Sequence, residues 1–346
     1  MAPRPSRAEA AVSLLAAVLL VGAAALGVPS LPGAPPLPDA LSLPRASAQG
    51  GGGGYAWDDP EWRFTLRSRR VKVVLLAGSI GAWRDEPYGR LIHNWCANAE
   101  VRNLSRVGYG AWQLYEHFRT QVLSNSRVAL GAPEQEHWLL WNGGLNSASV
   151  SHRTNHYIRR AFRDAHRRGM RVVGLSLTPW GSFDDERRWG GARALDTHRS
   201  TRRIVDFVMG RVSPREALGE YAAQREVAAD APWQPEEQAD VRVDLYDSAL
   251  RDRDASPRDV AEMRRILERD SRVRRLLAPL AEAARGQRLD ADSRALAEVS
   301  RWFLRTEYRG FDPVHPNREG HRVIAETVCP RLPPSWGCTC PTSATH

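Results

Sequence analysis

VKVVLLAGSIGAW (Val71–Trp83) carries an apolar run, broken only by Lys72, straight into Ala77-Gly78-Ser79 and a second glycine, Gly81. A short apolar run bounded by turn residues reads as a buried strand. A serine just past such a strand is ordinarily a turn residue or a helix cap. It can also be a nucleophile set out on a tight turn. The residues past the other apolar runs decide between these readings.

Similar apolar runs recur at 101–104 (VRNL), 137–141 (HWLLW), 171–177 (RVVGLSL) and 241–246 (VRVDLY). Helical candidates lie between them, near 86–99, 111–128, 150–169 and 196–209, with a closing helix from Glu319 to Val328. Strands alternating with helices predict βαβ units, and so a parallel sheet covered on both faces. Between Tyr246 and Phe311 the alternation lapses. A charged stretch, MRRILERDSRVRRLLAPLAEAA at its clearest, spaces its leucines and isoleucine as one or more helices. This predicts a helical insertion over about 249–305, packed on the domain as a decoration, a lid or a partner-binding arm.

The 346 residues suffice for one large α/β domain or two modest ones. A composition 42% hydrophobic and 26% charged is that of a folded chain. The net charge of +9 is almost wholly arginine, Lys72 being the sole lysine. No arginine-rich run interleaved with aromatics occurs, and no zinc-finger or RNA-binding signature, which argues against a nucleic-acid partner. At the N-terminus, Arg4 and Arg7 precede an uncharged apolar run from Ala10 to Val28. That pattern predicts export, residues 1–28 serving as a signal peptide or as a membrane anchor. Residues 29–54, with six prolines and five consecutive glycines, read as a tether, leaving 55–346 as the folded domain. In an oxidising compartment Cys96, Cys329, Cys338 and Cys340 are expected to form disulfides, with three pairings open. Their spacing does not match a C-x-x-C ribbon, so no metal site is expected.

Ligands of a parallel sheet gather at the carboxyl ends of its strands. Past the first run stands Ser79. Asn103 and Gly108 stand past the second, and Asn142-Gly143-Gly144-Leu145-Asn146 past the third. Phe311-Asp312-Pro313-Val314-His315-Pro316-Asn317 precedes the closing helix, which opens with Gly320-His321. Each is weak alone. Together they supply what serine hydrolysis needs: a nucleophile (Ser79), a base (His315) and a group orienting the base (Asp312). The N–H groups of Ser79 and Gly108, with the Asn146 amide, are the candidate oxyanion donors.

The order and spacing of these blocks resemble the SGNH or GDSL hydrolases, whose four blocks contribute Ser, Gly, Asn and His in that order. Two positions depart from the pattern. Ala77-Gly78 stands where that family carries Gly-Asp, and Ser147 stands where an aspartate follows the G-x-N. Taken with the alternation, the resemblance implies a three-layer α/β/α flavodoxin-like sandwich around a parallel sheet of about five strands. It implies an esterase working through an acyl-enzyme, without cofactor, on small acyl esters of carbohydrate or lipid. An O-acyltransferase using the same Ser-His-Asp site is the alternative, and a non-catalytic glycan-binding surface protein is a third reading. Trp83, Trp141 and Trp180 all fall just past strand ends, where aromatic faces could contact substrate. His152 and His156, four apart on a helix, read as a solvated or substrate-side face rather than a metal site.

Overall fold

The structure, a computed structural model, describes residues 61–341. The expected export segment and tether lie outside the described residues, as do the first residues of the expected domain.

Five strands form one sheet: β1 (Val71–Ala77), β2 (Ala99–Asn103), β3 (Glu136–Asn142), β4 (Met170–Leu175) and β5 (Val241–Val243). They lie in the order β2-β1-β3-β4-β5, and every adjacent pair is parallel. This is the doubly wound flavodoxin-like order, with its reversal between β1 and β3. β1 is buried along its whole length, which is why it reads as a continuous apolar run rather than an alternating one. Its single charge is neutralised in place. Lys72 Nζ lies 2.8 Å from Glu100 and donates to the Leu66 carbonyl at 2.7 Å. Burial would raise the Glu100 carboxyl, but hydrogen bonds from Lys72, Thr65 and Leu66 outweigh it and hold it below its usual range.

Helices α1 (Tyr88–Trp95), α2 (Ala111–Phe118), α3 (Ser151–Arg167), α4 (Glu186–Trp189), α5 (Arg193–Val208) and α6 (Pro214–Leu218) follow in chain order. Then come α7 (Val260–Arg269), α8 (Ser271–Leu277), α9 (Glu282–Ala297) and α10 (Arg318–Val328). On one sheet face Val74, Leu76, Leu139 and Val172 pack with Leu114, Phe118, Ile158, Phe162, Ile204 and Phe207 from α2, α3 and α5. On the other, Val73, Leu75, Leu140 and Val173 meet Tyr88, Ile92, Ile324 and Val328 from α1 and α10. The result is a three-layer α/β/α sandwich. Alternate strand residues feed opposite cores, as the pleat requires.

Two strands are shorter or shifted relative to the apolar runs. β2 begins at Ala99 and includes Glu100, whose pairing with Lys72 lets a charge enter the sheet. β5 ends at Val243, because the next backbone donors leave the ladder. Leu245 and Tyr246 donate instead to Ser176 Oγ, at 2.8 and 3.0 Å.

The insertion contains α7, α8 and α9. Its two ends run side by side: Asp252 N–H donates to Phe303 O at 3.0 Å, and Arg305 N–H to Leu250 O at 2.9 Å. Arg199 of α5 pairs with Asp292 of α9. Phe303 packs edge-on to Trp189 with ring centroids 4.9 Å apart, so the insertion is joined to the body through its base. The cysteines form two disulfides: Cys96–Cys338 ties the segment after α10 to the end of α1, and Cys329–Cys340 closes that segment on itself. The sulfurs of Cys96, Cys329 and Cys338 lie within 4.8 Å of one another because the two bridges adjoin. Among the described residues no helix is long and apolar enough to cross a membrane.

Candidate active site

Ser79 sits two residues past β1, on a loop fastened from beneath. Parallel pairing continues beyond β2, with Leu104 N–H donating to Leu75 O at 2.8 Å and Arg106 N–H to Ala77 O at 3.0 Å. Two buried side chains then hold the serine loop. Asn103 Nδ2 donates to Gly81 O at 2.7 Å, and Ala77 N–H donates to Ser105 Oγ at 3.0 Å. A Cβ on Gly81 would fall 2.4 Å from Ala77 Cβ and 2.6 Å from Ser105 Oγ, so this close approach requires glycine.

The chain past β2 turns at Gly108, whose φ of +78° lies in the left-handed region that glycine enters without penalty. Its residues then meet the loop past β3. Ala111 N–H, at the start of α2, donates to Ser147 Oγ at 3.1 Å. Ser147 thus helps cap α2 at the position where the family resemblance has an aspartate. Asn146 Nδ2 donates to Tyr109 O at 3.1 Å, which leaves its second amide hydrogen available. A Cβ on Gly78 would lie 3.0 Å from Asn146 Nδ2 and 3.4 Å from Tyr109 O. The missing aspartate therefore leaves no gap, because Asn146 and Tyr109 close directly on Gly78. Among the described residues the N–H groups of Ser79 and Gly108 take no protein acceptor.

The fourth loop brings the base. Its ends are closed by Gly310 N–H to His315 O at 2.7 Å and Asn317 N–H to Tyr308 O at 2.8 Å. Asn317 then caps α10 by accepting from Gly320 N–H at 2.9 Å. Asp312 Oδ1 accepts from Val314 N–H and from His315 N–H, both at 2.8 Å. The same carboxylate lies 2.9 Å from His315 Nδ1, and His315 Nε2 lies 2.8 Å from Ser79 Oγ. Burial would raise the Asp312 carboxyl, but the N–H groups of His315 and Val314 and the imidazole itself outweigh it. They hold it below the usual carboxylate range, ionised opposite Nδ1. A carboxylate on Nδ1 places the Nδ1–H toward itself and leaves Nε2 as the acceptor facing Ser79.

The structure thus brings Ser79, His315 and Asp312 into one relay, with Asn146 and Tyr109, the residue after Gly108, set against Gly78 beside it. It does not bring the three tryptophans to one cleft. Trp141 is fully buried in the core, its indole donating to Gly143 O at 3.2 Å. Trp180 is 5% exposed and donates to Thr201 Oγ1 at 3.2 Å. Position past a strand end did not show that both rings turn inward. Trp83 alone lies at the site, stacked near-parallel with Phe311 and His315 at centroid distances of 5.8 and 6.0 Å. Behind it stands His321, fully buried between Trp83 and Tyr88. His156 is buried against Tyr157 and Tyr221 rather than solvated. Phe311 is the site residue that the sequence did not single out. It is 75% exposed, and its ring lies 4.9 Å from that of His315. Its signal was an aromatic residue immediately before the candidate aspartate.

No family model and no curated protein matches the sequence. Among solved structures, the chain is similar to a GDSL-like lipase from Bacteroides thetaiotaomicron, with 14% identity and TM-score 0.39 over 76% of this chain and 88% of that one. It is similar to a member of the lipolytic protein G-D-S-L family from Veillonella parvula, with 12% identity, TM-score 0.37 and coverage of 75% and 96%. A catalytic mutant of an acetylxylan esterase from Geobacillus stearothermophilus is similar at 10% identity, TM-score 0.37 and coverage of 77% and 95%. The class that fold and site define is a doubly wound α/β protein with a serine–histidine–aspartate relay at the strand ends. That is the arrangement which the resemblance to SGNH or GDSL hydrolases implies.

Proposed function

We propose that this protein is a carboxylic ester hydrolase working through an acyl-enzyme on Ser79. The observation that carries the proposal is the 2.8 Å contact between Ser79 Oγ and His315 Nε2, with the Asp312 carboxylate on the opposite ring nitrogen. His315 takes the Ser79 proton as Oγ attacks the ester carbonyl. Asp312 holds the tautomer and steadies the imidazolium that forms. The N–H groups of Ser79 and Gly108 and the free hydrogen of Asn146 Nδ2 receive the charge growing on the carbonyl oxygen. His315 then passes its proton to the departing alcohol, and water, activated by the same imidazole, releases the acyl group. The two disulfides support export to an oxidising compartment, where such bridges persist.

The test is active-site labelling with a fluorophosphonate, paired with turnover of a short-chain ester. Wild type is expected to label and turn over. Ser79→Ala is expected to lose labelling and about 10⁴-fold or more of kcat. Equal labelling of wild type and variant would overturn the proposal.

A further inference from the structure

Trp83 belongs to the serine loop and touches the histidine loop. It ends the turn that carries the nucleophile: Ala82 N–H donates to Gly78 O at 3.1 Å, and Trp83 N–H to Ile80 O at 3.4 Å. The chain is anchored two residues earlier, where Asn103 grips Gly81 O. From that root the indole lies against the other loop, near-parallel to the rings of Phe311 and His315 at tilts of 8° and 22°. Its Cη2 edge reaches Gly310, where an added Cβ would stand 3.6 Å away. Gly310 is also the residue whose N–H closes the loop on His315 O. Among the described residues the reactive contact, His315 to Ser79, is the sole hydrogen bond joining residues 78–86 to residues 310–317. The spacing of the two loops therefore rests on ring packing.

The indole is backed as well as rooted. His321 of α10 stacks on it at 5.7 Å, and Tyr88 of α1 stacks on His321 at 6.0 Å. Tyr88 in turn donates to Asn142 Oδ1, at the end of β3, at 3.2 Å. Tyr88 and His321 are fully buried, so this column of rings has its foot in close-packed core and its head at the base. The indole N–H is buried and has no acceptor among the described residues. Trp83 therefore acts through its flat face and not through a polar handle. Three residues on, the same stretch is pinned again. Glu86, the sole non-glycine residue with positive φ among the described residues (+45°), accepts from Arg318 Nε in the first turn of α10 at 2.7 Å. A left-handed glutamate carries a backbone cost, and here it ties the serine loop to the helix that follows His315.

Resting on the esterase reading, we propose that Trp83 is a positioning residue whose face, propped from the core, sets the reach of His315 Nε2 to Ser79 Oγ. The nucleophile's own loop thus carries the stop against which the base is registered.

The experiment removes the flat face while keeping apolar bulk, with Trp83→Met. On ethyl acetate and phenyl acetate alike, kcat is expected to fall about 10²-fold with KM held within about twofold. Trp83→Phe gives up no hydrogen bond and is expected to keep kcat within about fivefold. Gly310→Val enters the same contact from an exposed position, so the fold does not depend on it. It is expected to lower kcat about tenfold with KM kept. A further readout needs no turnover. In NMR of isotope-labelled histidine, Ser79→Ala should shift the His315 Nε2 resonance in the wild-type background. It should leave that resonance unmoved when Trp83→Met is already present. The proposal is overturned if either Trp83→Met or Gly310→Val leaves kcat unchanged, or if Trp83→Phe falls as far as Trp83→Met. A loss that lies in KM and differs between the two esters also overturns it, since the ring is then a substrate contact. If wild type neither labels with the fluorophosphonate nor turns over, the esterase reading fails, and the resonance alone decides whether Trp83 places His315.

Discussion

The loop that presents Ser79 and the loop that presents His315 are held by opposite means. Around Ser79 the fastening comes from outside the loop: buried Asn103 and Ser105 grip Gly81 and Ala77, and Gly81 has no room for a methyl group. The His315 loop is half exposed and fastens itself. One carboxylate, Asp312, shapes the turn through two backbone N–H groups and also holds the imidazole. In the first loop support and chemistry belong to different residues. In the second they are fused in one side chain.

That contrast can be broken or sharpened. The largest effect is expected for Asp312→Asn. An amide oxygen still accepts from Val314 and His315, so the turn survives, while the charge opposite Nδ1 is lost. We expect kcat to fall about 10⁴-fold. Stability should change by less than about 1 kcal/mol, read from urea midpoints. A collapse of the fold instead would make the carboxylate primarily structural. Asn103→Ala should behave in the opposite sense. It strands the Gly81 carbonyl and the Ser105 N–H, which Asn103 now satisfies at 2.7 and 3.0 Å. The expected cost is about 1–3 kcal/mol of stability, with a fall in kcat far smaller than that of Asp312→Asn.

The smallest effect concerns His321, buried behind the second loop. Burial first, and then the nearby charge of His315, push its pKa down from 6.5 to about 3. The folded protein keeps this ring neutral where the unfolded chain protonates it. Its contribution is therefore fully present above pH 6.5 and is lost as pH falls toward 3. Buried His156 and half-buried His198, each pushed down to about 4, act in the same sense. His321→Phe keeps an aromatic ring between Trp83 and Tyr88 but removes its titration. The stability lost between pH 7 and pH 5 should shrink by about 2 kcal/mol, measured by urea unfolding at both values. An unchanged pH dependence would show that His321 already titrates in the native state.

Much of this was written in the chain. β1 announces itself because a strand with neighbours on both sides and helices on both faces must be apolar throughout. The Gly-, Asn- and His-bearing loops are visible because strand ends collect ligands and because their order resembles one family. What stayed hidden depends on side-chain direction. Trp141 and Trp180 have the right positions and the wrong orientations, and no local pattern distinguishes the two. Glu100 concealed the start of β2 because its partner, Lys72, lies 28 residues away. The close approach of Asn146 to Gly78 joins loops more than sixty residues apart and exists only once the sheet has formed.

The paired ends of the insertion carry a consequence of another kind. Because Leu250–Asp252 and Phe303–Arg305 already run together as a short ladder, the fifty residues between them enter and leave through a single doorway. The doorposts fix where the segment begins and ends, but its helices are not a free appendage: Met263, Leu267, Leu296 and Val299 lie in the same buried core as Trp189 and Leu195 of the body. Cutting the segment back to a tight turn would therefore leave the doorway in place and uncover an apolar wall beside it.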